Sequence, residues 1–342
     1  MNKPKINDKS YLVENLFDRN KIQQVPTRNG YGEGLVIAGD EDKNIVALCA
    51  DLVESTRTLA FKQKYPDRYI EMGVAEQNLA TIASGLSAVG KIPFISSYGM
   101  FSPGRNWEQI RTTICYNEQN VKIIGAHTGV SVGPDGGTHQ AIEDMAIMRV
   151  MPNMIVLAPC DAIEAKKATI SAAKIFSPVY LRFGREKTPV LTTEKTPFSI
   201  GKAETFIFGD DVTIIACGTL VYEAVYAAHL LNKQGISAEV INSPSVKPLD
   251  EKNILASAKK TGAVVTVEEH QAASGLGGAV AEFLSDSYPV PIKRIGVNDR
   301  FGESGQPEEL LKYFHLTAPD IARVANEAVK MRGKRKWLSL KS

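Results

Sequence analysis

Short apolar runs alternate with amphipathic stretches along nearly the whole chain. NIVALCAD (44–51), PFISSYG (93–99), KIIGAHTG (122–129), IVLAP and VYLRFG (179–184) are continuously apolar, as strands buried on both faces are. Between them, TLAFKQKYP (58–66), AEQNLATIASGLSAVG (75–90), GRNWEQIRTTICYN (104–117), AIEDMAIMRVM (141–151) and AIEAKKATISAAKIF have helical patterning. This alternation predicts an α/β fold, a doubly wound and mainly parallel sheet with helices on both faces. EKTPVLTTEKTPF (186–198) interrupts the rhythm and is expected to be an interdomain linker. A second α/β set follows, with VTIIACG (212–218) and AVVTVEEH (263–270) as strands and GLGGAVAEFLSDSY among the helices. The expected organisation is an extension at 1–25, a first domain at 26–185, a linker at 186–200, a second domain at 201–331 and a basic tail at 332–342.

Composition narrows the function classes. The chain has 342 residues, 44% hydrophobic and 23% charged, which suits two globular domains. A net charge of +2 gives no bulk electrostatic case for nucleic acid or a membrane surface. The polar start, MNKPKINDKSYLVENLF, lacks the apolar core of a signal peptide, and no apolar run reaches spanning length. A cytoplasmic protein is therefore expected. Four widely spaced cysteines, Cys49, Cys115, Cys160 and Cys217, lie in apolar stretches and are expected to be reduced, buried and structural.

Candidate chemistry gathers where predicted strands end. In YIEMGVAEQNLATIAS (69–84), a Gly73 turn leads into an apolar helix with Glu76 in its first turn. The helix dipole favours a carboxylate there, near the usual ligand position of an open α/β sheet. A plain helix-start carboxylate is the alternative. The loop AHTGVSVGPDGGTHQ holds His127, Asp135 and His139 among glycines that allow close backbone approach. Their spacing matches no standard zinc pattern and no cysteine assists, so no metal site is expected; a hydroxyl-rich substrate fits better. Tyr98 and Phe101, just after a strand, could stack on a flat ring or simply pack. Arg28, Ser55 and Arg185 lie at element ends, and arginine forks suit phosphate or carboxylate. His270, after VTVEE, is expected to be a structural strand-end histidine.

In order, ADLVES (50–55), GVAEQN (73–78), SYGMF (97–101), AHTGVSVGPDGGTHQ (126–140), RVMPNMIVLAPCD (149–161) and FGESGQPEELLKYFHLT (301–317) resemble the pyrimidine-binding and C-terminal domains of transketolase, a thiamine-diphosphate enzyme. The resemblance covers nearly all of residues 25–330. No GDG metal-binding motif of the family's pyrophosphate-binding domain is present. The chain thus resembles the C-terminal subunit of a split transketolase. The resemblance implies a separate N-terminal subunit that binds Mg2+ and the diphosphate, self-dimerisation into an α2β2 assembly, and ketol transfer between sugar phosphates of the pentose phosphate pathway. Glu76 matches the glutamate that hydrogen-bonds the cofactor's aminopyrimidine. Tyr98 and Phe101 match aromatics packed on that ring, and Asp51 a position near the cofactor. His127, Asp135 and His139 match residues holding sugar hydroxyls; Arg28, Ser55 and Arg185 match the sugar-phosphate site. Related alternatives are a deoxyxylulose-phosphate-synthase-like subunit, a 2-oxo acid dehydrogenase beta-like subunit, and a catalytically silent partner-binding paralogue. The His127 loop argues against the decarboxylating alternative. Gly104 stands where many transketolases have an aromatic, and His127-Thr128 differs from the His-Asp or His-Glu of many full-length members.

Overall fold

A computed structural model describes residues 4–339, with side chains described through Arg332. Most of the expected tail at 332–342 therefore lies outside the described side chains, although the last helix, Ala318–Ser339, runs into it.

The apolar runs of the first half form a seven-stranded sheet. Its order is Ser245–Lys247, Ile155–Leu157, Val179–Arg182, Lys122–Ala126, Ile92–Tyr98, Ile45–Cys49 and Tyr69–Glu71. All pairings are parallel except that of Ser245–Lys247, an edge strand contributed by the second half. From Ile45–Cys49 the chain crosses to one side of the sheet, and from Ile92–Tyr98 to the other. The reversal opens a crevice beyond the carboxyl ends of these two neighbours, the place where such sheets take ligands. The second sheet has six strands, ordered Lys5–Ile6, Glu204–Phe208, Ala238–Asn242, Val212–Ala216, Val264–Gln271 and Ile292–Val297. The last four are parallel.

Helices cover both sheets. Thr27–Glu41 and Ala162–Ala173 pack together, and Gly30 lets them touch: a Cβ there would lie 1.8 Å from the Ala162 carbonyl oxygen. The predicted 104–117 helix begins as Trp107–Gln109 and widens into a π-helix at Ile110–Cys115, a form frequent beside functional sites. All four cysteines are free and buried. Among the described residues, no helix is long and apolar enough to cross a membrane.

Two segments without strong periodicity are tied down by pairing. Lys5–Ile6 extends the second sheet, and Leu16 and Ile22 enter that sheet's core. The chain then pairs Gln24–Pro26 with Lys187–Pro189. The 186–200 connection is held further by Asp161, whose carboxylate accepts from the Leu191 amide at 2.9 Å, the Thr192 amide at 2.7 Å and the Thr192 hydroxyl at 2.8 Å. Hydrogen bonds between distant residues fix this stretch, which its Thr/Pro/Lys composition does not reveal.

Candidate active site

Glu76 is the first residue of the helix Glu76–Ala88 and is 2% exposed. A carboxylate buried this deeply needs a partner. Its Oε2 accepts from Arg105 Nη1 at 2.6 Å, while Asn106 Nδ2 donates to its backbone carbonyl at 3.0 Å. Glu76 Oε1 takes no hydrogen bond from the described residues. The carboxylate stands at the positive end of the helix dipole. The Arg105 guanidinium also lies over Phe101, 4.8 Å from the ring centroid.

An aromatic row continues from there. Phe101 meets His139 edge-on with centroids 5.4 Å apart, and Tyr98 lies 6.1 Å from Phe101. Tyr98 stacks on His127 with centroids 3.9 Å apart and planes 29° from parallel. Tyr98 ends the strand Ile92–Tyr98, and His127 follows the adjacent strand Lys122–Ala126. Strand pairing therefore creates this contact.

Beyond His127 lies a cluster of cations. Arg28, at the start of Thr27–Glu41, donates from Nη1 to the Ser55 carbonyl at 2.8 Å and reaches His127 Nε2 at 3.2 Å. Arg185 donates to the Val132 carbonyl at 2.9 Å and pairs with Asp135 at 3.4 Å and Glu186 at 3.5 Å. Arg57 bonds Asn29 Oδ1 at 2.9 Å and adds its charge to those acting on Arg28 and His127. Burial, then Arg28, Arg185, Arg57 and His139, pushes the His127 imidazole down to about 3. Burial and the neighbouring arginines also push the Arg28 guanidinium down. A surplus of positive charge held by backbone carbonyls suits an anion.

The loop carrying these groups is braced by the second domain. Gly129 has φ 83°, and a Cβ there would sit 2.4 Å from the Glu269 carboxylate. Glu269 accepts the Ser131 amide, and Gln140 Nε2 donates to the Glu303 carbonyl at 2.8 Å.

Of the sequence-predicted residues, Glu76, Tyr98, Phe101, His127, His139, Arg28 and Ser55 form one connected row through Arg105. Asp135 and Arg185 form a pair on the same loop side. Asp51 stands apart: it is exposed, has φ 57°, and its amide donates to Glu71 Oε1 at 2.7 Å. Tyr98 lies on His127, because the pairing of Ile92–Tyr98 with Lys122–Ala126 sets the two side by side. Pattern reasoning did not find Arg105, Asn106 or Arg57. At Gly104, the residue before Arg105, a Cβ would meet the Met100 carbonyl oxygen at 1.9 Å. That contact explains why no aromatic stands at 104. Among the described residues, no group of three His, Cys, Asp or Glu side chains could hold a metal ion. His270 is fully buried; it accepts the Ala146 amide at 3.3 Å and gives Nδ1–H to the Gln271 carbonyl at 2.8 Å.

Comparison with known proteins matches residues 23–190 to the family "Transketolase, pyrimidine binding domain" and residues 201–321 to "Transketolase, C-terminal domain". A putative transketolase C-terminal section from Methanocaldococcus jannaschii is 45% identical, over 89% of this chain and 96% of that protein. A 6-deoxy-6-sulfo-D-fructose transketolase subunit from Clostridium sp. strain MSTE9 is 42% identical, over 90% of this chain and 95% of that one. Among solved structures, a split gene transketolase described as an inactive beta4 tetramer superimposes with a TM-score of 0.85 at 45% identity, covering 90% of this chain and 99% of that one.

Proposed function

The chain belongs to the transketolase family, and from that premise we propose that it is the C-terminal subunit of a split, thiamine-diphosphate-dependent transketolase. It transfers a two-carbon ketol unit reversibly from a ketose phosphate to an aldose phosphate, together with a separate N-terminal subunit, in the cytoplasm. The family implies the cofactor, and Glu76 fits it: one carboxylate oxygen is anchored by Arg105 and the other takes no bond from the described residues. That oxygen would accept from the protonated ring nitrogen of the aminopyrimidine, with Phe101 beside the ring. Thiamine diphosphate supplies the carbon–carbon chemistry when bound; the chain supplies orientation and charge. Mg2+ and the diphosphate would be held by the N-terminal subunit, in an α2β2 assembly.

In this reading Arg28, Ser55 and Arg185 hold the sugar phosphate, and His127, Asp135 and His139 hold sugar hydroxyls. The observation that carries it is the continuous row from the buried Glu76 carboxylate to the cation cluster, at the ligand edge of one parallel sheet. A cofactor-activating acid and an anion site within one row suit a phosphorylated sugar better than a plain 2-oxo acid. The test is transketolase activity with xylulose 5-phosphate and ribose 5-phosphate, thiamine diphosphate and Mg2+, with and without the N-terminal subunit. Turnover only in the mixture is expected. Turnover of 2-oxo acids but not of sugar phosphates would overturn the ketol-transfer reading. The relative named for 6-deoxy-6-sulfo-D-fructose makes that sulfonated ketose the second donor to assay.

A further inference from the structure

We propose that Glu269 of the second domain is a positioning residue: it fixes the course of the first domain's 129–140 loop, and through that loop the second domain sets the affinity for the sugar phosphate. The inference deepens the role given above to Arg185 and Asp135 and rests on it.

Glu269 lies near the end of the strand Val264–Gln271 and is 3% exposed. Both of its carboxylate oxygens are engaged. Oε1 accepts the Ser131 amide of the first domain. Oε2 accepts the Thr219 hydroxyl at 2.8 Å, from the turn Gly218–Leu220 of its own domain. A buried carboxylate is costly unless hydrogen bonds satisfy it, and here one of those bonds crosses the domain seam. The backbone of Glu269 is tied across the same seam. Arg182 Nη2 donates to the Glu269 carbonyl at 2.7 Å, while Arg182 Nε donates to Asp144 at 2.8 Å.

Ser131 leads directly to the cation cluster. The carbonyl of the next residue, Val132, accepts from Arg185 at 2.9 Å, and Arg185 pairs with Asp135. Hydrogen bonds at adjacent loop residues therefore join the second sheet to the residues assigned to the sugar phosphate. The loop depends on such ties. Its helical stretch Val130–Asp135 is broken at Gly133, with φ 84° and ψ −122°, so contacts from outside must fix its course. Glycines that could admit a ligand admit the second domain instead. A Cβ at Gly129 would run into the Glu269 carboxylate, and one at Gly137 would lie 2.7 Å from the Gly302 carbonyl oxygen. Gln140 Nε2 adds bonds to the Val130 carbonyl at 3.0 Å and the Glu303 carbonyl at 2.8 Å.

Glu268 is the internal control. Neighbouring strand residues point to opposite faces. Glu268 is as deeply buried, yet its oxygens accept the Leu276 and Gly277 amides of its own domain.

The first arm of the experiment measures amide hydrogen exchange in the full chain. Glu269→Ala should speed exchange in the segment that carries Ser131 by about tenfold or more, and leave the strand Lys122–Ala126 unchanged. Glu268→Ala should leave the Ser131 segment as it is. Glu269→Gln keeps an acceptor for the Ser131 amide and should retain the slow exchange. Glu269→Asp withdraws the carboxylate from that amide and serves if the alanine variant does not fold; it should speed exchange in the same direction. Unchanged exchange in the alanine and aspartate variants overturns the proposal.

The second arm uses the mixture with the N-terminal subunit, with xylulose 5-phosphate and ribose 5-phosphate. Glu269→Ala should raise the Michaelis constants about tenfold with kcat within about threefold, the mark of lost binding rather than lost chemistry. Glu269→Gln should restore them. A fall in kcat at unchanged Michaelis constants, or a glutamine variant as impaired as alanine, overturns the proposal. Normal turnover with unmoved constants sinks this inference and leaves the transketolase reading intact. Absence of turnover in the unaltered mixture overturns that reading, and the exchange arm still decides whether Glu269 holds the loop.

Discussion

Two buried histidines show what separates a site from a packing network. His127 follows a strand of the first sheet, and His270 lies within the strand Val264–Gln271 of the second. They are 2% and 0% exposed. Each offers Nε2 as an acceptor, to Arg28 and to the Ala146 amide respectively. At His270 the remaining Nδ1–H goes to the Gln271 carbonyl, whereas at His127 Nδ1 has no partner. The acids differ in the same way. Glu268 accepts the Leu276 amide at 2.7 Å and the Gly277 amide at 2.8 Å, so both of its oxygens are satisfied at a helix start. Glu76 also sits at a helix start, with one oxygen paired to Arg105. Residue type and burial do not distinguish the two places. Unused hydrogen-bonding capacity and uncompensated positive charge do.

Removing the acid tests the contrast most strongly. Glu76→Ala should lower the transketolase rate of the two-subunit mixture by about 10²–10⁴-fold, while the isolated chain keeps its helical circular dichroism and its melting temperature within a few degrees. Near-normal turnover would mean that Glu76 belongs with the packing acids. The mirror experiment is Glu268→Ala. It strands the amides of Leu276 and Gly277 in the core. Each unmade bond costs about 1–3 kcal/mol, so the urea midpoint should fall clearly. The Michaelis constants of the surviving enzyme should stay unchanged; a raised constant for either sugar would show that the second strand end reaches the substrate.

Arg185→Ala probes the cation surplus. A charge-assisted hydrogen bond is worth about 1.5–3 kcal/mol, which corresponds to a rise in the Michaelis constant for phosphorylated sugars of about 10–100-fold. Unphosphorylated sugars should be affected far less. Equal effects on both would remove the phosphate role and leave Arg185 as a brace for the loop, through Val132 and Asp135.

The same contrast explains what could be read from the chain. Parallel strands and covering helices were legible because burial on both faces leaves continuous apolar runs such as KIIGA and VYLR. Glu76, His127 and Arg28 were legible because strand and helix ends are where such sheets expose polar groups. Arg105 was not: it meets Glu76 across 29 residues, through the course of the chain after Tyr98, which periodicity does not encode. Tyr98 was found as an aromatic at a strand end, but only strand pairing decides that it faces His127. The short strands Lys5–Ile6 and Lys187–Pro189 are too brief to show alternation, and distant partners define them. The glycines of GLGG at 275–278 carried a readable sign: a Cβ at Gly275 would meet the Glu268 carboxylate at 2.0 Å.

The smallest predicted effect concerns an acid that joins the two halves. Glu164 accepts the Cys160 amide at 2.7 Å and, from the second domain, Asn242 Nδ2 at 2.7 Å. Burial and then the Asp161 carboxylate push its pKa up to about 7. A carboxyl whose folded pKa lies above its unfolded value, about 4.3, holds its proton more tightly when folded. Its contribution is full below about pH 4.3 and fades as pH rises through about 7. Glu164→Gln fixes the neutral form and keeps an acceptor oxygen. The loss of stability between about pH 5 and about pH 8 should therefore shrink in the variant, by on the order of 1 kcal/mol. Urea unfolding at the two pH values measures it; an unchanged difference would show that Glu164 is ionised in the folded chain.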